Sequence, residues 1–338
     1  MSLRHGGQLE TIQQEYHEFD REWIDLSTGI SPVAYPIPKI PSRYFRRLPD
    51  NEKQLIKAAR AYYKVTNILP VAGSQSAIKA LPIVLRKRLN SSTLVFLPTE
   101  GYKEHEAAWS NNGYSIKHYD DIDDIKIDGP CVVVIINPNN PTGKKYSSSQ
   151  LQKVASKTEE QGGWCIIDEA FIDAEFHSDS MVSQANNSTI VLRSLGKFFG
   201  LAGLRVGFVV AESRFLDNLN QYLGPWCISG VSEYIAICAL LDSSWQDDHR
   251  YRLMALSQQL VDLLKMHFRC EPKGTSLFQT IRLQNAPVMW DQLCKLGVYV
   301  RLCDNNQALR FGTPNQQDFE TLSQRLDQAK LEGYISCS

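Results

Sequence analysis

The chain has 338 residues, of which 43% are hydrophobic and 22% are charged, and its formal net charge is −1. This composition is that of an ordinary globular protein and excludes a collagen-like or disordered chain. The length is too great for one simple core and favours two domains. Because acidic and basic residues are mixed along the chain, no nucleic-acid-binding surface is indicated, and no apolar run reaches the ~18 residues of a membrane span.

The compartment and the cysteine chemistry follow from simple sequence signals. The first residues contain no apolar signal region, so we expect a cytoplasmic protein. Eight cysteines are scattered without C-x-x-C pairs, and Cys131 and Cys165 lie in apolar runs typical of a core. We predict neither a disulfide framework nor a metal site, because the histidines do not pair with cysteines at zinc-ligand spacing.

The N-terminal segment, residues 1–44, is rich in proline. Pro32, Pro36, Pro38 and Pro41 rule out a long helix there. We expect this segment to cover the functional site or to pack on the smaller domain.

From about residue 70 to residue 212, apolar β-rich runs alternate with amphipathic stretches. Continuous apolar runs are typical of a parallel sheet that is covered on both faces. The predicted strands are residues 94–97, 132–136, 165–167, 189–193 and 206–210. The predicted helices are residues 74–89 and 148–161, with a short one near Met181. The alternation predicts an α/β doubly wound sheet in a large domain, residues 45–228.

The pattern changes after Trp226. The predicted elements there are helices at residues 231–241, 249–268 and 316–329 and strands at residues 277–282, 298–302 and 308–311. This part predicts a smaller α+β domain, residues 229–338.

Lys197 lies in an S-L-G-K string, and Arg205 follows eight residues later. Alone, such a lysine is usually a surface residue. A lysine that forms a Schiff base with a phosphorylated aldehyde needs a phosphate anchor nearby, which Ser194 and Arg205 can supply. The Phe198-Phe199 pair would desolvate the amine and lower its pKa towards that of a useful nucleophile.

Two polar residues follow predicted strands, where doubly wound folds bind ligands. Asp168 ends the run C-I-I-D and can pair with a pyridine nitrogen and keep it protonated; the alternative is a helix N-cap. Asn140 lies in the string N-P-N-N-P-T-G, and its amide can donate to a ring oxygen. A lone Asn-Pro would only indicate a turn.

Ser74 and Gln75 follow a glycine and open an amphipathic helix, whose free N–H groups can bind a phosphate. An ordinary serine N-cap is an equally good interpretation of that motif alone. Tyr102 lies just past the strand at residues 94–97 and could stack on a flat cofactor, or could belong to the core or the surface.

Arg310 lies between apolar residues in a predicted strand and therefore needs an anionic partner. A substrate α-carboxylate fits its planar fork, and a structural ion pair is the alternative. The start His5-Gly6-Gly7 is a weak signal, since chain termini are usually poorly ordered.

A covalent lysine, a partner for the ring nitrogen, a phosphate cradle and a substrate clamp together predict a pyridoxal-phosphate (PLP) site.

With these residues in place, nearly the whole chain resembles the fold-type I PLP enzymes of the aspartate aminotransferase superfamily. Within that group it is most similar to the threonine-phosphate decarboxylases of cobalamin biosynthesis. The strings that carry the resemblance are H-G-G at residue 5, I-D-L-S-T-G-I-S-P at residue 24, L-R-S-L-G-K-F-F-G-L-A-G-L-R at residue 192, G-P-W-C-I-S at residue 224 and L-R-F-G-T-P at residue 309. The H-G-G start separates these decarboxylases from histidinol-phosphate aminotransferases.

The resemblance implies a role for each candidate residue. Lys197 would be the catalytic residue that holds the cofactor. The implied cofactor-binding residues are Ser74, Gln75, Tyr102, Asn140, Asp168, Ser194, Lys197 and Arg205. The implied substrate-binding residues are His5, Gly6, Gly29, Ile30 and Arg310.

Two positions depart from the pattern of the relatives. Phe171 stands where many relatives have a tyrosine that donates to the ring oxygen. Leu48 stands where relatives often have a tyrosine that reaches the phosphate of the neighbouring subunit. Both changes weaken the case for an ordinary aminotransferase, and the loop that carries Tyr102 is longer than usual.

The resemblance implies decarboxylation of L-threonine O-3-phosphate by a homodimer. The alternative is an aminotransferase that acts on a phosphorylated amino compound such as histidinol phosphate. A third hypothesis is a non-catalytic regulator that senses PLP, but the chain has no spare length or basic helix pair for a DNA-binding domain.

Overall fold

The computed structural model describes residues 5–19, 22–50, 52–89, 92–176, 179–185 and 187–331. Contacts between Cα atoms group the chain into two compact units. The large unit comprises Tyr35–Asn140 and Lys144–Gln246. The small unit comprises Met1–Ala34, Pro141–Gly143 and Asp247–Ser338.

Helices and strands are numbered in chain order. The α-helices are α1 (Leu9–Glu15), α2 (Arg43–Arg46), α3 (Glu52–Tyr63), α4 (Ser74–Leu85), α5 (Lys103–Ser110), α6 (Ser148–Glu160), α7 (Ser213–Leu223), α8 (Gly230–Leu241), α9 (Ser243–Phe268), α10 (Ala286–Lys295) and α11 (Asp318–Leu331). The strands are β1 (Ile24–Leu26), β2 (Ile68–Val71), β3 (Leu94–Pro98), β4 (Ser115–Tyr119), β5 (Cys131–Ile136), β6 (Trp164–Asp168), β7 (Thr189–Ser194), β8 (Gly207–Val210), β9 (Lys273–Thr275), β10 (Phe278–Arg282), β11 (Val298–Leu302) and β12 (Ala308–Gly312).

The large unit contains a seven-stranded sheet in the order β2-β8-β7-β6-β5-β3-β4. Strands β4, β3, β5, β6 and β7 pair in parallel, whereas β8 is antiparallel to both of its neighbours. The predicted α/β class and mostly parallel sheet are therefore confirmed. Sequence analysis did not predict β2 or β4: β2 contains Pro70, and only Tyr119 of β4 is buried.

Helices cover the sheet because its central strands are apolar on both faces. All six residues of β5 and all five of β6 are buried. On one face, Val132 and Val134 pack in a cluster with Leu81 of α4, Trp109 of α5 and Phe215 of α7. This pattern is that of a covered parallel sheet.

The predicted helices in the large unit begin where expected. Helix α6 starts at a capping box, in which the Ser147 side chain accepts from the Gln150 backbone and the Gln150 side chain bonds the Ser147 backbone. Helix α4 begins at Ser74 but ends at Leu85, short of the predicted end at residue 89. The helix predicted near Met181 is a single 3₁₀ turn, Val182–Gln184.

The small unit contains a five-stranded sheet in the order β1-β11-β12-β10-β9. Strand β1 comes from the proline-rich N-terminal segment and pairs in parallel with β11. The core forms between this sheet and helices α9, α10 and α11, and includes Leu260, Leu293 and Leu326. The predicted strands β10, β11 and β12 are all present, whereas β1, β9 and α10 were not predicted.

The compact units divide the chain at other points than the predicted domains 1–44, 45–228 and 229–338. Helix α8 packs against α3 and therefore groups with the large sheet rather than with the small unit. The division into folding domains stays a prediction. Among the described residues, no helix is long and apolar enough to cross a membrane and no cluster of potential metal ligands occurs.

Candidate active site

A cavity of about 110 Å³ lies in the large unit. Its lining residues are Gly73, Ser74, Gln75, Tyr102, Ile136, Asn140, Asp168, Ala170, Phe171, Ser194, Lys197 and Arg205. The structure therefore brings together every residue that the sequence analysis proposed for the cofactor, although those residues are spread along the chain from position 74 to position 205. Their individual roles stay predictions.

The topology of the sheet explains why these residues meet. Tyr102, Asn140 and Asp168 follow or end β3, β5 and β6, and Ser194 ends β7. These strands are parallel, so their carboxyl ends lie at one edge of the sheet. In the sheet, β6 and β7 lie on one side of β5, whereas β3 and β4 lie on its other side. The order of the strands therefore reverses at this point, and such a reversal opens the crevice in which doubly wound folds bind ligands.

Lys197 follows β7 and supplies a primary amine to the cavity. Its Nζ lies 5.3 Å from the centroid of the Phe171 ring, within the range of a cation–π contact. The two phenylalanines after it, Phe198 and Phe199, are buried, and Phe199 stacks on Trp245 with ring centroids 5.7 Å apart. The lysine loop is thus fixed by an aromatic cluster within the large unit.

Asp168 is buried at 3% exposure and both of its carboxylate oxygens are engaged. Oδ1 accepts the Ala170 N–H at 3.0 Å, and Oδ2 lies 2.9 Å from Nε2 of buried His105. Sequence analysis missed His105. The only signal was its position on α5 three residues after Tyr102, which is the spacing that places two side chains on one helical face.

The loop that carries Asn140 is held by its neighbouring asparagines. The side chain of Asn137 bonds the backbone of Tyr146 in both directions, at 2.8 and 3.2 Å. Nδ2 of Asn139 donates to the Glu100 carbonyl at 3.0 Å. These bonds fix the turn, so Asn140 is presented at the cavity by an ordered backbone.

Close backbone packing shapes an anion cradle around the N-terminus of α4. Gly73 has φ +72°, and a Cβ there would lie 2.7 Å from Nη2 of Arg205. A Cβ at Gly207 would lie 2.5 Å from the Ser74 nitrogen. Glycine is therefore needed at both positions, and it lets the guanidinium approach the first N–H groups of the helix, where anions bind.

Tyr102 and Gln75 are linked on the wall of the cavity. The Tyr102 hydroxyl donates to Oε1 of Gln75 at 3.0 Å, and Nε2 of Gln75 donates to Glu104. This chain of bonds fixes the tyrosine ring, which also packs against the apolar cluster of the large unit. A fixed ring of this kind is suited to stacking on a flat heterocycle.

The donor set fits PLP on its chemistry. The cavity combines a primary amine (Lys197), a buried carboxylate (Asp168), an amide (Asn140) and a cationic cradle with helix N–H groups, to which Arg205 contributes. These are the groups that an aldehyde, a pyridine nitrogen, a phenolic oxygen and a phosphate require.

The small unit holds the residues proposed for substrate binding. Arg310 is buried at 7% exposure, its Nη2 donates to the Ser27 carbonyl at 2.7 Å, and its guanidinium lies 5.3 Å from the Phe278 ring centroid. Burial lowers the pKa of Arg310 to about 10, so the group remains charged at neutral pH. Arg301, which sequence analysis missed, is its cross-strand partner on β11.

The N-terminal glycines pack beside Arg310 within the small unit. The Gly7 N–H donates to Oγ of Ser27 at 2.8 Å, and a Cβ at Gly6 would lie 2.2 Å from the Ser27 carbonyl oxygen. The His5-Gly6-Gly7 segment thus reaches the residue that accepts from Arg310. Gly29 is buried and Ile30 is half-buried in the turn that follows.

Comparison with known proteins agrees with the fold. The sequence model described as aminotransferase class I and II matches residues 42–326. The chain therefore belongs to the class I and II aminotransferase family, whose members use PLP. It is 37% identical over 330 residues to a threonine-phosphate decarboxylase of Pseudomonas aeruginosa, with 97% of each chain covered.

Sequence similarity to a histidinol-phosphate aminotransferase is lower and covers less of the chain. Histidinol-phosphate aminotransferase 2 of Archaeoglobus fulgidus is 30% identical over 263 residues, covering 73% of this chain and 74% of the relative. The crystal structure of histidinol-phosphate aminotransferase from Sinorhizobium meliloti, in complex with pyridoxal-5'-phosphate, has a TM-score of 0.82 at 17% identity and covers 98% of this chain and 96% of that one. At this sequence identity, the structural similarity shows a shared fold only.

Proposed function

We propose that the protein is a PLP-dependent carboxy-lyase that converts L-threonine O-3-phosphate into (R)-1-aminopropan-2-yl phosphate and CO2 in cobalamin biosynthesis. The observation that carries the proposal is the cavity in which Lys197, Asp168 and the anion cradle at α4 meet. The similarity to a threonine-phosphate decarboxylase extends over 97% of the chain and supports the choice of substrate.

Each residue contributes a definite part of the reaction. When bound, PLP supplies an electron-accepting ring that stabilises the electron pair left at Cα as CO2 departs. Asp168, oriented by His105, keeps the ring nitrogen protonated, and Ser74, Gln75, Ser194 and Arg205 hold the phosphate. Asn140 donates to the ring oxygen, and Tyr102 stacks on the ring.

Lys197 has two tasks in this proposal. Its Nζ would hold the cofactor covalently through the aldehyde, and its ammonium form would donate to Cα the proton that replaces the departing carboxylate. The Phe171 ring supports the second task, because its π face stabilises the cationic form of the amine, which is the form that donates a proton. Decarboxylation also requires that the Cα–carboxylate bond stands perpendicular to the cofactor ring.

The small unit supplies the substrate clamp in this proposal. Arg310 binds the α-carboxylate, and His5, Gly6, Gly29 and Ile30 enclose the rest of the molecule. Threonine phosphate carries two anionic groups, and the adjacent Arg301 adds a second guanidinium to the same pair of strands. Arg301 is itself paired with Asp304 at 2.7 Å, so Arg310 supplies most of the charge that is complementary to an anionic substrate.

The deciding experiment is an assay of purified holoenzyme with threonine phosphate. We expect CO2 release in the absence of any 2-oxoacid, with stoichiometric formation of the amino alcohol phosphate. The second candidate is an aminotransferase for a phosphorylated amine such as histidinol phosphate, which the relative at 30% identity favours. Strict dependence of turnover on 2-oxoglutarate, with no CO2, would establish that candidate instead.

We propose further that the protein is a homodimer. The large unit exposes Phe45, Leu48 and Trp226 at 66%, 65% and 60%, and Trp226 lines a second cavity together with Pro49, which follows Leu48. Three large apolar side chains that are mostly exposed to solvent indicate a surface that binds another protein chain. Light scattering should give twice the chain mass of 38.3 kDa, and a particle of one chain at micromolar concentration would contradict the proposal.

We also propose the cytoplasm as the compartment. The cysteines in the described ranges form no disulfide, which suits a reducing environment. Recovery of the native protein from a periplasmic or extracellular fraction would refute this.

A further inference from the structure

A cluster of buried charges lies beside the proposed site on residues to which sequence analysis gave no role. Nη1 of Arg193 donates to Oε2 of Glu169 at 2.7 Å, and Nη2 of Arg193 donates to Oδ1 of Asp173. The three side chains are 5%, 0% and 3% exposed. One guanidinium thus holds two carboxylates that have almost no contact with water.

Further bonds fix this cluster in a single arrangement. Glu169 accepts the Met181 N–H and the Ser180 hydroxyl, each at 2.7 Å, and the Arg193 guanidinium lies 4.7 Å from the Tyr63 ring centroid. Burial raises the pKa of the Glu169 carboxyl, and the charge of Arg193 opposes this rise. Buried charges are tolerated only when they are paired and hydrogen-bonded, so the cluster has little freedom to rearrange.

The cluster is adjacent in sequence to the proposed cofactor residues. Glu169 follows Asp168, and Arg193 precedes Ser194 on β7. The Glu169 N–H also donates to the Leu192 carbonyl at 2.9 Å, which joins the ends of β6 and β7. Because neighbouring side chains of a strand point to opposite faces, Arg193 does not point the same way as Ser194 and must act through other residues.

Phe171 connects the cluster to Lys197. It lies between the two anchored carboxylates, in a turn closed by the Ile172 N–H and the Glu169 carbonyl at 3.2 Å and followed by the 3₁₀ helix Ile172–Ala174. Its ring is the one that lies 5.3 Å from Nζ of Lys197. Both ends of the segment that presents this ring are therefore tied to the same guanidinium.

We propose that Arg193 is a positioning residue: by clamping Glu169 and Asp173 it holds the Phe171 ring against the Lys197 amine and so presets that amine for cofactor capture. The inference rests on the proposed covalent role of Lys197, but not on the identity of the substrate.

The test follows PLP uptake by apoenzyme, through the absorbance of the lysine-bound cofactor. Asp173→Ala leaves Arg193 paired with Glu169 and frees one end of the Phe171 segment. We expect uptake to slow about tenfold, because a loosened ring no longer holds the amine in the orientation that attack on the aldehyde requires. Arg193→Lys keeps the positive charge but loses the planar guanidinium that binds both carboxylates, so it should slow uptake to a similar extent. In steady state, kcat should fall while KM for threonine phosphate stays unchanged.

A double-mutant cycle tests whether the effect passes through Phe171. Phe171→Leu should slow uptake by itself, and adding Asp173→Ala should slow it no further, because the ring that the clamp positions is already gone. Independent, multiplicative effects of the two substitutions would overturn the proposal. An uptake rate unchanged by Asp173→Ala alone would overturn it as well.

Leu326→Ala is the control for a merely structural role. Leu326 is fully buried in the core of the small unit, so its truncation should lower the melting temperature of the apoenzyme without changing the uptake rate. If uptake by this variant slowed in proportion to its lost stability, the slow uptake of the clamp variants would reflect lower stability, and the inference would be wrong. If the clamp variants slow uptake but no variant decarboxylates threonine phosphate, the proposed substrate fails and the positioning role stands.

Discussion

Replacing Lys197 by alanine should lower the rate of CO2 release from threonine phosphate by about 10⁴-fold or more, because one side chain provides both the covalent attachment and the proton donor. The other cavity residues would remain in place, so PLP should still bind through the cradle at α4. It should then leave on gel filtration, whereas the native holoenzyme retains it. Absorbance spectra and a CO2 assay before and after gel filtration measure both effects.

Lys153→Ala is the matched control for this variant. Lys153 is an exposed residue of α6 in the same unit, and its loss should change neither the spectrum nor the rate. Turnover by Lys197→Ala at a rate near that of the native protein would show that the covalent role is wrong. Comparable melting temperatures of the two variants would show that any loss of activity is not due to unfolding.

The sequence predicted most of the cavity because its residues follow apolar strands. A parallel sheet brings the ends of its strands to one edge whatever lies between them, so Asp168, Asn140 and Lys197 had to lie close together once the strands were identified. The G-S-Q string at the start of α4 predicted the anion cradle by the same logic, since the first N–H groups of a helix lack partners within it.

The features that sequence analysis did not predict depend on contacts between residues that are distant in the sequence. The pairing of His105 with Asp168 joins α5 to β6, and the three-residue spacing from Tyr102 alone does not distinguish this histidine from an ordinary helical one. The clamp of Arg193 on Glu169 and Asp173 was not predicted because arginine, glutamate and aspartate side chains are usually exposed. Strand β4 was missed since its residues are mostly exposed at the edge of the sheet, and exposed strands carry no continuous apolar run.

Arg310→Lys should lower kcat/KM for threonine phosphate by about 10²- to 10³-fold, because an ammonium cannot form the paired hydrogen bonds that a guanidinium offers a carboxylate. Burial already lowers the pKa of Arg310 to about 10, so the protein maintains this charge at a cost in solvation that a bound anion would offset. The rise in KM should account for most of the loss, since the substitution removes a binding contact.

Two comparisons separate binding of the carboxylate from other roles of Arg310. Arg325→Lys, in the same unit, alters a guanidinium that donates to the carbonyls of Gly297 and Glu22, and it should leave KM unchanged. The product, (R)-1-aminopropan-2-yl phosphate, lacks the carboxylate, so its affinity measured by calorimetry should be nearly the same for native enzyme and Arg310→Lys. If the affinities for product and substrate fall equally, Arg310 binds the phosphate, and the carboxylate must be held by another residue.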